Sequence, residues 1–128
     1  MKKILKQVAG IDVAQKELVV SLGRMYDDLS TEIHASKTFL NQTNGFMALV
    51  ARTNKLTDQA VETKYVMEAT GVYHESLAYF LTEKGYSLSI VLPNKISNYM
   101  RTLEVKTITD KTASEAICRF GLERTLDG

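Results

Sequence analysis

A chain of 128 residues with 45% hydrophobic content and one proline can build one continuous core and is too short for two, so residues 1–128 are read as a single domain. A net charge of +1 lacks the basic surplus that a stand-alone duplex-binding module carries. The longest apolar run, Phe46 to Ala51, is far too short to span a bilayer, and no apolar stretch after Met1-Lys2-Lys3 serves as a signal peptide, which makes the cytoplasm the expected location.

In chain order the periodicities give strands first and helices later. Gln7 to Asp12 and Glu17 to Leu22 are short β-type runs, separated by Val13-Ala14-Gln15-Lys16 and close enough to form a hairpin. Thr31 to Thr38 alternates, with Ile33 and Ala35 against Glu32, His34 and Ser36, as a half-exposed third strand does. Thr43-Asn44-Gly45 opens a helix with Phe46, Leu49, Val50 and Thr53 on one face, and Lys64 to Glu68 returns as a buried strand.

Ala69-Thr70-Gly71 makes a tight turn in which Thr70 can cap the next helix; that helix carries Leu77, Phe80 and Leu81 on one face and stops at Gly85. Ser87 to Leu92 is the fifth strand and Pro93 ends it. Ile96, Met100 and Leu103 suggest a short helix, and a last helix begins near Thr109 or Thr112. Thr112-Ala113-Ser114-Glu115 has the form of a capping box, Ile117 and Phe120 give the buried side, and Gly121 gives the stop. The single cysteine, Cys118, excludes an internal disulfide and reads as a packed helix residue.

Three leading strands in hairpins, two more through helical crossovers and a trailing helix give the order β-β-β-α-β-α-β-α. This is an α/β fold of ribonuclease-H-like (RuvC-like) type, a mixed five-stranded sheet flanked by helices. In such a sheet strands 1 and 4 are neighbours, so Asp12 and Glu68 meet although far apart in sequence, and the last helix can bring Asp110 over them. Each acid alone reads equally well as a turn residue or helix cap. As a set they point elsewhere: two carboxylates about 4 Å apart oppose each other by roughly 4 kcal/mol at an effective dielectric near 20, and a divalent metal relieves this. His34 and His74 lack partners at metal-ligand spacing and read as packing or surface residues. Tyr73 either packs its ring locally or positions a backbone or phosphate near the acids. The basic residues Lys2, Lys3 and Lys6, and then Lys95, Arg101, Lys106, Lys111, Arg119 and Arg124, form either a solvated face or a stripe against a nucleic-acid backbone.

Four words in this order, Gly10-Ile11-Asp12-Val13-Ala14, Met67-Glu68-Ala69-Thr70-Gly71-Val72-Tyr73, Val91-Leu92-Pro93-Asn94 and Lys106-Thr107-Ile108-Thr109-Asp110-Lys111, resemble the amino-terminal domain of DEDD-type insertion-sequence transposases. The resemblance implies that Asp12, Glu68 and Asp110 are catalytic acids holding Mg²⁺ or Mn²⁺. It implies a DNA transposase or recombinase acting in strand cleavage and transfer, working as a homo-oligomer on DNA with a structured guide RNA. In that family a separate carboxy-terminal domain supplies the serine that attacks DNA; this domain is read as absent, the chain stopping at Leu126-Asp127-Gly128, and the isolated domain is expected to be inactive.

The family pattern asks for Asp-x-x-Asp on the last segment, and Ala113 stands where the second aspartate belongs. On a helix starting from Asp110, Ser114 lies about 40° away and Glu115 about 140° away, so Ser114 is the better-placed substitute metal ligand. Three other readings stay open. A self-sufficient nuclease of the Holliday-junction type needs a complete acidic set. A sugar-kinase or actin-like ATPase needs a glycine-rich phosphate turn that Val13-Ala14-Gln15-Lys16 does not offer. A transposase remnant serving assembly would have no need to bind metal.

Overall fold

Val8, Ala9, Gly10 and Ile11 are buried in succession because their strand, β1 (Ile4–Val13), lies at the centre of a sheet covered on both faces. The computed structural model describes residues 3–69, 71–102 and 110–124, and of residues 100–102 and 110–112 the backbone alone. β2 (Glu17–Tyr26) and β3 (Thr31–Leu40) continue from β1 in antiparallel hairpins, α1 (Thr43–Leu56) crosses over, and β4 (Thr63–Glu68) returns parallel to β1. α2 (Glu75–Glu83) leads to β5 (Ser87–Val91), parallel to β4, and α3 (Pro93–Thr102) and α4 (Asp110–Glu123) complete the chain. The strand order is β3-β2-β1-β4-β5, the mixed five-stranded sheet flanked by helices that the sequence leads one to expect.

Alternation along the strands sorts the core into two layers. Ala9, Ile11, Val13, Tyr65 and Met67 pack with Phe46 and Leu49 of α1 and with Leu77 and Leu81 of α2. Val8 and Val66 pack on the opposite face with Ile96 and Tyr99 of α3 and with Ala116, Ile117, Cys118 and Phe120 of α4. Each fully buried Leu or Ile in these layers contributes about 2 kcal/mol relative to exposure.

Several elements depart from expectation for identifiable reasons. The first three strands are longer than their apolar stretches, because the hairpin ladder continues through polar residues as far as the Ile4–Tyr26 pair. Pro93 ends β5 and is also the first residue of α3, where its missing N–H costs nothing. Met100 is described in backbone only and Leu103 lies outside the described residues; the buried face of α3 carries Tyr99 beside Ile96. Tyr99 stacks edge-on against Phe120, ring centroids 5.6 Å apart, and its hydroxyl donates to Glu123, which ties α3 to α4.

α4 has begun by Asp110, so Thr112 lies inside the helix and does not cap it, while Thr109 lies outside the described residues. Gly121 does not stop α4. It is buried within the helix, where an added Cβ would come within 2.9 Å of both Val8 and Val66, so its role is close approach of helix to sheet. Lys6 meets the carboxyl end of α4, its Nζ donating to the carbonyls of Leu122 at 3.2 Å and Arg124 at 2.8 Å, as a cation there should. Among the described residues no helix is long and apolar enough to cross a membrane.

Candidate active site

The parallel register of β1 and β4 places Ile11 beside Met67, so Asp12 and Glu68 follow as the next residues of adjacent strands. Ile11 and Met67 point into the layer of α1 and α2. Asp12 and Glu68 therefore project from the other face, toward α4, at the carboxyl ends of their strands. Open α/β sheets bind ligands at such ends, where the strand order reverses around a central strand. Both acids are half-buried.

Burial first, and then the negative charge of Asp12, push the Glu68 carboxyl above its ordinary value. The two carboxylates thus share one local field, the condition in which a cation is most strongly favoured. The raised value has a definite sign in stability. The folded state holds the Glu68 proton more tightly than the unfolded chain, so metal-free stability is highest at low pH and declines as pH rises through the ordinary carboxylate range and the raised Glu68 value. Glu68→Gln removes this decline. Denaturant titrations of the metal-free protein should show the variant gaining on the wild type between about pH 4 and about pH 7.

α4 lies across β1 at Gly10, where an ideal Cβ would meet the Cys118 backbone nitrogen at 2.3 Å and its Cα at 2.6 Å. Gly121, nearly one turn later, sits against Val8, so the helix runs antiparallel to β1. From Cys118 back to Asp110 the helix rises about 12 Å, toward the end of the sheet that carries Asp12 and Glu68. The Asp110 backbone opens α4 there, and its side chain lies outside the described residues. Among the described residues no group of three His, Cys, Asp or Glu side chains converges; they supply the pair Asp12 and Glu68.

Ser114 is fully buried, with its Oγ 2.7 Å from Ser21 Oγ, which is in turn 2.9 Å from Ser36 Oγ. This run of hydroxyls joins α4 to β2 and β3 beneath the acids. Ser21 escaped the sequence reading, although a serine inside Leu18-Val19-Val20-Ser21-Leu22 is the kind of interior polar residue that needs a partner. Gln7 also escaped it: 2% exposed, it donates through Nε2 to the carbonyls of Asp58 and Val61 at 3.0 and 2.9 Å and accepts from the Asp58 N–H at 2.7 Å.

Cys118 is a packed helix residue. Its Sγ lies 3.4 Å from the Val8 carbonyl, and burial pushes the thiol up to about 12. A thiol reagent at about pH 8 should leave the native protein unmodified and label it only on unfolding, which mass spectrometry reads directly. His34 Nε2 accepts from the Arg24 guanidinium at 2.9 Å, because arginine can only donate. His74 occupies the N-cap position of α2 without a side-chain cap bond. Gly71 takes the left-handed conformation, φ 60°, in the turn after Glu68; Thr70 lies outside the described residues.

Known proteins place this geometry. Residues 9–127 match the model of a transposase family of the DEDD type. The pilin gene-inverting proteins of Moraxella bovis and Moraxella lacunata are 33% and 32% identical over 84 residues, which is 66% of this chain and 26% of theirs. The chain therefore spans about a quarter of the length of these curated relatives. In fold it is similar to Thermus thermophilus RuvC, with a TM-score of 0.59 and 14% identity over 88% of this chain and 90% of that one. It is similar also to the Fowlpox virus resolvase solved with Holliday junction DNA, with a TM-score of 0.62 and 9% identity over 91% and 97%. The match over nearly the whole sequence, on a RuvC-like sheet, means that the chain belongs to the DEDD-type transposase family and forms its RuvC-like domain.

Proposed function

We propose that Asp12 and Glu68, joined by Asp110, bind a divalent metal ion, Mg²⁺ or Mn²⁺, and that the whole protein uses this centre to cleave and transfer DNA strands. The supporting observation is the in-register placement of Asp12 and Glu68 on one face of adjacent parallel strands, with each charge felt by the other. The donor set suits a hard cation: carboxylate oxygens, half-exposed, on two rigid strands. A bound ion at a scissile phosphate would stabilise the charge developing in phosphoryl transfer.

The protein's own contribution is to hold these oxygens at fixed spacing. Asp12 is held by ladders to β2 and β4, and Glu68 by its pairing with Val91 of β5. Ser114 is assigned an anchoring role in place of the metal-ligand role expected for it, because its hydroxyl is wholly buried and bonded to Ser21. The attacking group, a guide RNA and the working oligomer belong in this reading to the whole protein, of whose curated relatives the chain spans about a quarter.

The test is Glu68→Gln in the whole protein, which should lower strand cleavage by about 100-fold or more. Cleavage within a few fold of wild type would contradict the assignment. Ala113→Asp bears on the third acid. It should tighten Mn²⁺ binding about tenfold, measured by titration calorimetry, and lower the melting point of the metal-free fold through added repulsion. An unchanged affinity would place residue 113 away from the centre.

A further inference from the structure

Asn41 lies just beyond β3, outside every motif that points to the acids, yet its side chain reaches both loops that leave the acid-bearing strands. Its Nδ2 donates to the carbonyl of Ala14, two residues after Asp12, at 2.8 Å. The same nitrogen donates to the carbonyl of Tyr73, five residues after Glu68, at 3.0 Å. Both partners can only accept, so the amide orientation is fixed: the oxygen in that place would face two carbonyl oxygens. We propose that Asn41 is a positioning residue for the metal centre, a bridge that holds the β1 and β4 loops at the separation a shared cation requires. This rests on the metal-binding reading of Asp12 and Glu68.

The bridge stands on a rigid support. The Asn41 N–H donates to the Lys16 carbonyl at 2.9 Å, fixing the residue against the β1–β2 turn. Four residues on, α1 presses on the end of β3 so closely that a Cβ on Gly45 would lie 1.8 Å from the Leu40 carbonyl oxygen. Asn41 therefore has little freedom to move, and its two hydrogen bonds transmit a fixed spacing to the loops. Such a restraint has a physical purpose here. Like charges on Asp12 and Glu68 push the two strand ends apart when no cation is bound, and hydrogen bonds across the loops oppose that push. Groups of this kind, which orient ligands without touching the ion, typically govern metal affinity by 10–100-fold.

The test uses Mn²⁺ alone as probe, on the wild type, Asn41→Ala and the milder Asn41→Ser, whose single hydroxyl can reach one carbonyl but not both. Titration calorimetry well below the melting point should show Mn²⁺ affinity reduced about tenfold or more in the alanine variant and by a smaller factor in the serine variant. Melting of the metal-free proteins, run alongside, separates positioning from general support: loss of a merely structural contact lowers the melting point and leaves the affinity of the folded protein unchanged. Wild-type affinity in either folded variant overturns the role of Asn41 and leaves the metal centre standing. A wild type that binds no Mn²⁺ overturns both.

Discussion

Gly10→Ala should destabilise the fold by about 3 kcal/mol or more, at the upper end of what overpacking costs. The added methyl would lie 2.3 Å from the Cys118 backbone nitrogen, 2.6 Å from its Cα and 2.7 Å from its Cβ. Two of these atoms are main chain, so no rotamer change relieves the contact, and α4 must lift off the sheet. The displacement is costly beyond Gly10 itself, because the same helix buries Ala116, Ile117, Cys118, Phe120 and Leu122. Cys118→Ala should not rescue the variant, since it leaves the clashing backbone in place. Chemical denaturation of the single and double variants checks both statements; a Gly10→Ala protein within 1 kcal/mol of wild type would mean that α4 does not pack where the structure puts it.

That contact shows how far the sequence is legible and where it stops being so. The periodicities of β1 and β4 carry their burial, and the element order carries the adjacency that joins Asp12 to Glu68, because strand and helix periods are local properties with a direct reading in side-chain pattern. Gly10 reads only as part of Gly-Ile-Asp; that it is empty to admit a helix more than a hundred residues later is a tertiary fact with no local signature. Gly121 misleads for the same reason: glycine commonly ends helices, and here it permits α4 to approach Val8 and Val66. Asn41 is a single polar residue in a polar turn, and only the fold shows that Ala14 and Tyr73 lie within its reach. Ser114 is legible as a residue on the side of Asp110, but its burial against Ser21 depends on register between elements that the sequence does not specify.

The second large effect concerns the acids. Substituting either one should change stability in opposite directions with and without metal. In metal-free protein Asp12→Asn removes a charge that raises the Glu68 carboxyl, and the fold should gain stability at neutral pH. With metal present the wild type gains by mass action, about 2.7 kcal/mol when the free ion is about one hundred times Kd, equivalent to a rise in melting point on the order of 10 °C. The variant lacks the paired carboxylates and forfeits that gain. The order of stability of the two proteins should therefore invert as metal is added, a pattern that a general salt effect cannot produce because it acts on both alike.

The most direct measurement is the thermal midpoint of wild type, Asp12→Asn and Glu68→Gln by calorimetry, each with and without millimolar Mn²⁺ at constant ionic strength. The account predicts a higher midpoint for the wild type with Mn²⁺, no rise for either variant, and metal-free variants at least as stable as the wild type. A wild-type midpoint that Mn²⁺ does not move, or an equal rise in all three proteins, would contradict the claim that Asp12 and Glu68 form a metal centre.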